Sequence, residues 1–291
     1  MLRIGLKYFG MNLSRLMSAN KAIAMAKSNS FKLDGVDSLV SQYCVIVEKG
    51  LFERWGKLDI ELYDSEIYEV VGGLLARQST LAIQFAKNPH CWSGHLAPII
   101  LRSMIDAHIT FAWILKDLKD RANKYILYGL GQTKLFIEHL RAALAEDPND
   151  ELIKSLIKTQ EAWLNSQRLD LITEVDVGSW SGKTVLEMAK DAGCESLFHF
   201  AYTPFSGVAH NMWQHVSLYN LKHCRNPLHK YHRIPIMADV PLDIDFLIRS
   251  AKYTEYTFSA FDQAFNIQVE SPMPLTWLEH NLPKIKFELA K

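Results

Sequence analysis

An apolar run at residues 96–115 sets the fold class of this chain more firmly than any other segment. Fourteen of its twenty residues are hydrophobic, and the exceptions include Arg102, Asp106 and His108. The run is long enough for a membrane span, but three ionisable side chains and a proline near its start argue against one. A helix that is apolar on all sides lies at the centre of a bundle. We therefore expect a central helix over about residues 93–116 and no membrane association.

The rest of the chain repeats hydrophobic residues at helical spacing and shows little strand-like alternation. Residues 233–241 form the best extended candidate, and Gly72–Gly73 inside a helical pattern predicts close helix packing. The sequence predicts an all-α multi-helix bundle with little or no strand. Besides the central helix, the expected helices cover residues 34–50, 64–87, 118–146, 150–174 and 184–192.

The zero net charge of the chain hides a basic N-terminus. Residues 1–33 hold six Lys or Arg and no acidic residue, so the remainder must sum to −6. We expect a basic arm over 1–34, followed by a single helical domain over 35–291. The simplest interpretation is a solvated terminal arm. An organellar transit peptide, or contact with phosphate or an acidic partner surface, are the alternatives.

Composition excludes several classes of protein without assigning a chemistry. The chain is 48% hydrophobic and carries equal numbers of basic and acidic residues. It can therefore bury a large core, and no bulk charge favours nucleic acid or an anionic membrane. The four cysteines lie far apart and form no CxxC pair, which suits free thiols in a reducing compartment. We expect a cytoplasmic globular protein.

Two polar clusters interrupt the apolar pattern. Arg102 and Asp106 are four residues apart and share a helix face, so they can pair either as a structural ion pair or as part of a polar pocket. In residues 201–215, Thr203 followed by a proline predicts the N-cap of a helix, and Ser206 and His210 then share one face. A serine beside a histidine can be a nucleophile and its base, although no G-x-S-x-G turn is present.

Histidine and cysteine groups near residues 90–95 and 223–232 contain the ligand types of zinc. Neither group has paired CxxC or H-E-x-x-H spacing, so the sequence predicts no metal site and no cofactor. The segment 222–233 is basic with interleaved aromatic residues, as RNA-contacting loops can be, and a solvated polar loop explains it equally well.

Two segments together resemble the bacterial domain-of-unknown-function family 5677. The run LRSMIDAHITFAWILKDLKDRANKYILYG (101–129) is similar to its Arg-Ser-x-x-Glu helix, and YTPFSGVAH (202–210) to its Tyr-x-x-x-Ser-x-x-x-His signature. The resemblance covers about 90–220. It departs at the aspartate that stands where the family usually has glutamate, so this carboxylate reaches about one methylene less far. The resemblance singles out Arg102, Asp106, Tyr202, Ser206 and His210.

The resemblance implies no assigned activity, but it places the chain beside defence and toxin proteins, which include the HEPN ribonucleases. Those enzymes use an Arg followed by a His after four to six residues. Arg102–His108 fits that spacing, yet Arg225–His232 fits it too, about as often as chance predicts. Six helical positions also separate the two side chains by about 120°.

Three functions remain open, and whether the protein is an enzyme stays undecided. The first is a sensing, scaffold or effector module without catalysis, with RNA, another protein or a second copy of the chain as partner. The second is a metal-independent ribonuclease, in which His210 or His108 takes the 2′-hydroxyl proton, Arg102 stabilises the phosphate, and Asp106 and Tyr202 orient these groups. The third, ranked below both, is a small-molecule hydrolase that uses Ser206.

The two polar clusters should satisfy each other. Polar groups on apolar helices need partners, and two such groups can supply them by facing one another. We therefore expect Ser206 or His210 to lie within hydrogen-bond or one-water reach of Arg102 or Asp106, with Tyr202 nearby.

Overall fold

The computed structural model describes residues 34–167, 179–238 and 240–282. Helices dominate these ranges, and the extended structure in them is one small two-stranded antiparallel sheet. The predicted all-α class is therefore confirmed. The basic arm predicted for the N-terminus lies outside the described residues, except for its last residue.

The chain runs through ten helices of seven or more residues within the described ranges. A helical turn (Glu195–Leu197) and a single π turn (Phe198–Tyr202) lead directly into α7. The helices are α1 (Asp34–Gly56), α2 (Ser65–Ala86), α3 (Ala97–Ile114), α4 (Leu118–Glu146), α5 (Glu151–Asn165), α6 (Val185–Asp191), α7 (Thr203–Ala209), α8 (Trp213–Tyr219), α9 (Asp245–Phe265) and α10 (Pro274–Asn281). Between α8 and α9, β1 (Leu221–His223) pairs with β2 (Arg233–Pro235).

Helix α3 lies at the centre of the bundle, as its apolar sequence predicts. It packs against α2, α6, α7 and α9. Leu101, Met104, Ile105 and Ile109 are fully buried along it. In the described part of the chain, no helix is long and apolar enough to cross a membrane.

Several helix boundaries differ from the predicted ones. Helices α2 and α4 match closely, but α1 continues to Gly56 instead of stopping near Gly50. A Cβ atom on Gly50 would lie 2.8 Å from the ring of Phe258, so this glycine permits close packing against α9 and does not end the helix. Helix α5 ends at Asn165, and the rest of its predicted length falls mostly outside the described residues. Of the extended candidate 233–241, only the first three residues form a strand.

A buried ion pair joins α1 to α9. Arg54 is fully buried, and its Nη2 donates to a carboxylate oxygen of Asp262 at 2.8 Å. Its Nη1 donates to the carbonyl oxygen of Gly50 at 2.9 Å, and its guanidinium stacks on Phe258 at 4.1 Å. Arg54 Nε and the second carboxylate oxygen of Asp262 are buried without a hydrogen-bond partner among the described residues. The pair is therefore only partly satisfied.

The glycine pair in α2 has two different roles. A Cβ atom on Gly72 would lie 2.6 Å from the indole of Trp55, whereas one on Gly73 would meet no atom within 4 Å. Close packing is confirmed for Gly72, which brings α1 and α2 together.

Candidate functional site

The candidate site forms where α3 meets the π turn and α7. Arg102 Nε donates to Ser206 Oγ at 2.8 Å, and Arg102 Nη2 donates to the Tyr202 hydroxyl at 2.8 Å. Arg102 Nη1 lies 3.7 Å from an oxygen of Asp106. The predicted contact between the two polar segments is confirmed, although about 100 residues separate them. We call these four residues the Arg102 cluster.

The cluster is half-buried, and its groups are linked in a chain. The Arg102 side chain is 25% exposed and that of Asp106 is 37% exposed. Burial raises the pKa of the Asp106 carboxyl, while the charge of Arg102 and a hydrogen bond with Tyr202 oppose this shift. The Tyr202 hydroxyl thus accepts a hydrogen bond from the guanidinium and also acts on the neighbouring carboxylate. The site is open to solvent on one side, and its cation is oriented by three side chains.

The π turn determines which residues face Arg102. It ends at Tyr202 and passes without a break into α7, so Tyr202 and Ser206 lie one turn apart on the face toward α3. Thr203 was predicted to cap the helix, and this is wrong. Its backbone is already helical, because the π turn precedes it, and the residue at the cap position makes no side-chain cap hydrogen bond.

The two histidines considered as bases lie away from the Arg102 cluster. His108 is buried on the α9 side of α3, where a ring nitrogen lies 3.1 Å from the Thr257 hydroxyl. Burial lowers its pKa to about 4. The predicted Arg102–His108 pair is therefore not one site, because the two side chains leave the helix in different directions. His210 follows the end of α7 and is exposed, and in the described chain only its backbone N–H contacts Ser206.

A second polar contact joins the turn before α3 to α8 and was missed by sequence reasoning. His95 Nδ1 lies 3.3 Å from His215 Nε2, and both rings pack edge-on or tilted against Tyr219. Partial burial and the neighbouring His95 lower the pKa of His215. His95 lies two residues before α3 begins, so helical spacing does not extend to it, and no local pattern indicates its contact with His215.

The chain segment from the π turn through the β1–β2 hairpin is basic. Residues 196–238 contain no Asp or Glu, four Lys or Arg and six histidines. The four cationic residues are exposed and lie in the β1–β2 hairpin and its loop. The β1–β2 hairpin and its loop therefore present a positively charged surface.

The geometry of the Arg102 cluster suits binding better than nucleophilic catalysis. Ser206 Oγ accepts a hydrogen bond from a guanidinium, which cannot serve as a base. In the described residues neither an imidazole nor a carboxylate contacts this oxygen. An oriented, partly exposed guanidinium is the usual partner of phosphate and carboxylate groups.

Comparison with known proteins gives one match. The model of a family of unknown function, DUF5677, matches residues 68–226, more than half of the chain. No curated protein and no solved structure matches the chain. The matched region contains the Arg102 cluster, the contact of His95 with His215, and β1.

Proposed function

Since the chain belongs to the family of unknown function DUF5677, and the matched region holds both halves of the Arg102 cluster, we propose a binding role for this cluster. The protein is a sensing or effector module of a bacterial defence or toxin-type system. It binds a phosphate or carboxylate group of its partner through Arg102, without chemical conversion.

The hydrogen bonding of the Arg102 guanidinium is the observation that supports the proposal. A guanidinium has five N–H donors, and two of them donate to Ser206 and Tyr202. The remaining three have no hydrogen-bond acceptor among the described residues, since Asp106 lies 3.7 Å away. Because these two hydrogen bonds already hold the Arg102 side chain, it loses little rotamer entropy when a ligand binds. The guanidinium is therefore preorganised to bind an anion.

The charge of the surrounding surface supports an anionic partner. Among the described residues, Asp106 is the only carboxylate paired with Arg102, and it is half-buried. Residues 196–238, which also supply Tyr202 and Ser206 to the cluster, carry four exposed cations and no acid. RNA offers many phosphates, and the exposed Tyr231 on the basic hairpin could stack on a base. RNA is therefore the first partner to test.

A metal-independent ribonuclease remains the second candidate, and the exposed His210 is the observation that favours it. This histidine follows α7 directly, and a bound RNA could bring its 2′-hydroxyl within reach of the ring. His108 is a poor alternative because it is buried. A hydrolase using Ser206 has the least support, since the serine contacts a cation and not a base.

One assay separates these functions. A fluorescent single-stranded RNA is titrated with the protein in EDTA, and its anisotropy and length are followed together. We expect binding without cleavage, weakened at least about tenfold by Arg102→Gln, because a charged hydrogen bond is worth about 1.5–3 kcal/mol. Arg141→Gln is the matched control, because Arg141 is exposed on α4 and paired with acidic residues.

Other results would decide against the binding module. Cleavage that leaves a 2′,3′-cyclic phosphate and disappears in His210→Ala would establish the ribonuclease. Equal affinity of the wild type and Arg102→Gln for RNA, and no competition by inorganic phosphate, would refute an anion site at Arg102. Growth after induced expression gives the cellular counterpart, in which Arg102→Gln, and not His210→Ala, should remove any effect.

A further inference from the structure

The loop of the β1–β2 hairpin brings together three side chains that bind metals. Cys224, His229 and His232 each place one ligand atom within 4.8 Å of the others. The thiol is half-buried and the two imidazoles are exposed. These three residues are distinct from the Arg102 cluster, and the binding role proposed above does not use them.

The distance between the sulfur and one of the imidazole nitrogens is that of a tetrahedral metal site. Cys224 Sγ and His229 Nδ1 are 3.6 Å apart. With Zn–S of about 2.3 Å and Zn–N of about 2.0–2.1 Å, a tetrahedral angle places the two ligand atoms about 3.6 Å apart. Sulfur and nitrogen therefore stand at a separation that one zinc ion would bridge.

Backbone hydrogen bonds hold the three ligands on one compact loop. Cys224 N–H donates to the carbonyl oxygen of His232 at 3.0 Å, and His232 N–H donates to that of His229 at 3.1 Å. The backbone N–H of Asn226 donates to Cys224 Sγ at 3.3 Å. These contacts fix the position of the sulfur relative to the two histidines on the loop.

We propose that Cys224, His229 and His232 bind one Zn²⁺ ion, with water in the fourth position. A thiolate with two imidazoles suits zinc, whereas magnesium and calcium prefer oxygen ligands. Binding replaces the proton of the Cys224 thiol, which passes to the solvent, and leaves both imidazoles neutral. Three protein ligands with water in the fourth position give the ion an open coordination site.

The ion would supply stability that the hairpin lacks. Each strand has three residues, and a two-stranded hairpin by itself is marginally stable in water. The loop also exposes Leu228 and Tyr231 at 86% and 92%, so little apolar burial holds it. A metal that joins both ends of the loop compensates for the missing core.

The linear sequence hides this site because its ligands do not form a familiar motif. The spacing is Cys-x4-His-x2-His, without a second close pair. His223 directly precedes the cysteine, so in the sequence it looks like a further ligand. Successive residues of a strand point to opposite sides, so the strand pairing of His223 directs it away from the group.

The test uses the full chain after removal of metals by a chelator. Zn²⁺ is titrated by calorimetry, and Co²⁺ is titrated as a spectroscopic probe. We expect one Zn²⁺ per chain and a thiolate-to-cobalt charge-transfer band that Cys224→Ser abolishes. His232→Gln should weaken zinc binding at least about tenfold, since even outer-shell changes cost that much. His223→Gln is the matched control and should bind zinc like the wild type.

Two results would overturn the proposal. The first is the absence of a charge-transfer band when Co²⁺ is added to the wild type. The second is equal zinc affinity of the wild type and Cys224→Ser, which would place the ion elsewhere, for example between His95 and His215. Unchanged helical circular dichroism in each variant shows that the fold is intact, because the hairpin lies at the surface. Loss of RNA binding in Arg102→Gln with zinc binding retained separates this site from the proposed function.

Discussion

Replacing Asp262 by Asn should destabilise this bundle strongly, because Arg54 would remain buried without its counter-ion. Arg54 is fully buried, and the Asp262 side chain is 16% exposed. Removing one partner of a buried ion pair costs about 3–5 kcal/mol. Because water reaches Asp262 in part, we expect the lower end, about 3 kcal/mol, for Asp262→Asn.

Replacing both partners should cost less than replacing one. In Arg54→Met with Asp262→Asn, no buried charge remains, and methionine fills much of the volume of the arginine stem. Such replacements are often close to neutral. Here the lost hydrogen bond to Gly50 and the lost stacking on Phe258 should leave a cost of about 1–2 kcal/mol. The double variant is therefore expected to be more stable than Asp262→Asn alone.

Urea unfolding followed by far-UV circular dichroism measures these differences. Lys124→Met with Asp120→Asn is the matched control, because this exposed pair on α4 should contribute at most about 0.5 kcal/mol. The reasoning fails if Asp262→Asn lies within about 1 kcal/mol of the wild type. It also fails if the double variant is less stable than Asp262→Asn.

Three further predictions concern single residues. Acid should destabilise the fold through His108, because burial lowers the pKa of this side chain from 6.5 to about 4. Between these pH values the unfolded chain takes up a proton that the folded chain does not. The free energy of unfolding should therefore fall by up to about 3 kcal/mol as the pH is lowered. Urea midpoints between those pH values should depend less on pH in His108→Gln. The change His210→Ala should alter the free energy of unfolding by less than about 0.5 kcal/mol, since the side chain is exposed; a loss above 1 kcal/mol would reveal a structural role. Thermal unfolding should show that Gly72→Ala costs about 1–3 kcal/mol through its clash with Trp55, whereas Gly73→Ala is neutral or stabilising; equal effects would contradict the packing argument.

The helical class and the contact at Arg102 could be predicted because each depends on local pattern. Helical periodicity gave the bounds of α4, and the four-residue spacing of Arg102 and Asp106 put them on one face. The contact with Ser206 followed from the need of half-buried polar groups for partners. That need predicted that Ser206 or His210 would meet Arg102 or Asp106, and the structure shows which of these pairs forms.

Other features depend on contacts that no local pattern contains. Gly50 looks like a helix stop, but its role is set by Phe258, more than 200 residues away. Helical spacing separates His108 from Arg102 by about 120°, but only the packing of α9 against that side of α3 shows that the histidine is buried. The sequence also gave no sign of the π turn, because one extra residue in a turn changes hydrogen bonds and not composition.

That π turn makes the length of the connection to α7 as important as its residues. Phe198–Tyr202 carries one residue more than an α turn would, and each residue rotates the following helix by about 100°. Removing or adding a single residue between α6 and Tyr202 would turn Tyr202 and Ser206 away from Arg102, even if every side chain of the cluster were kept. The number of residues in this connection is therefore itself a requirement of the site, and a one-residue deletion would act like the loss of both Tyr202 and Ser206.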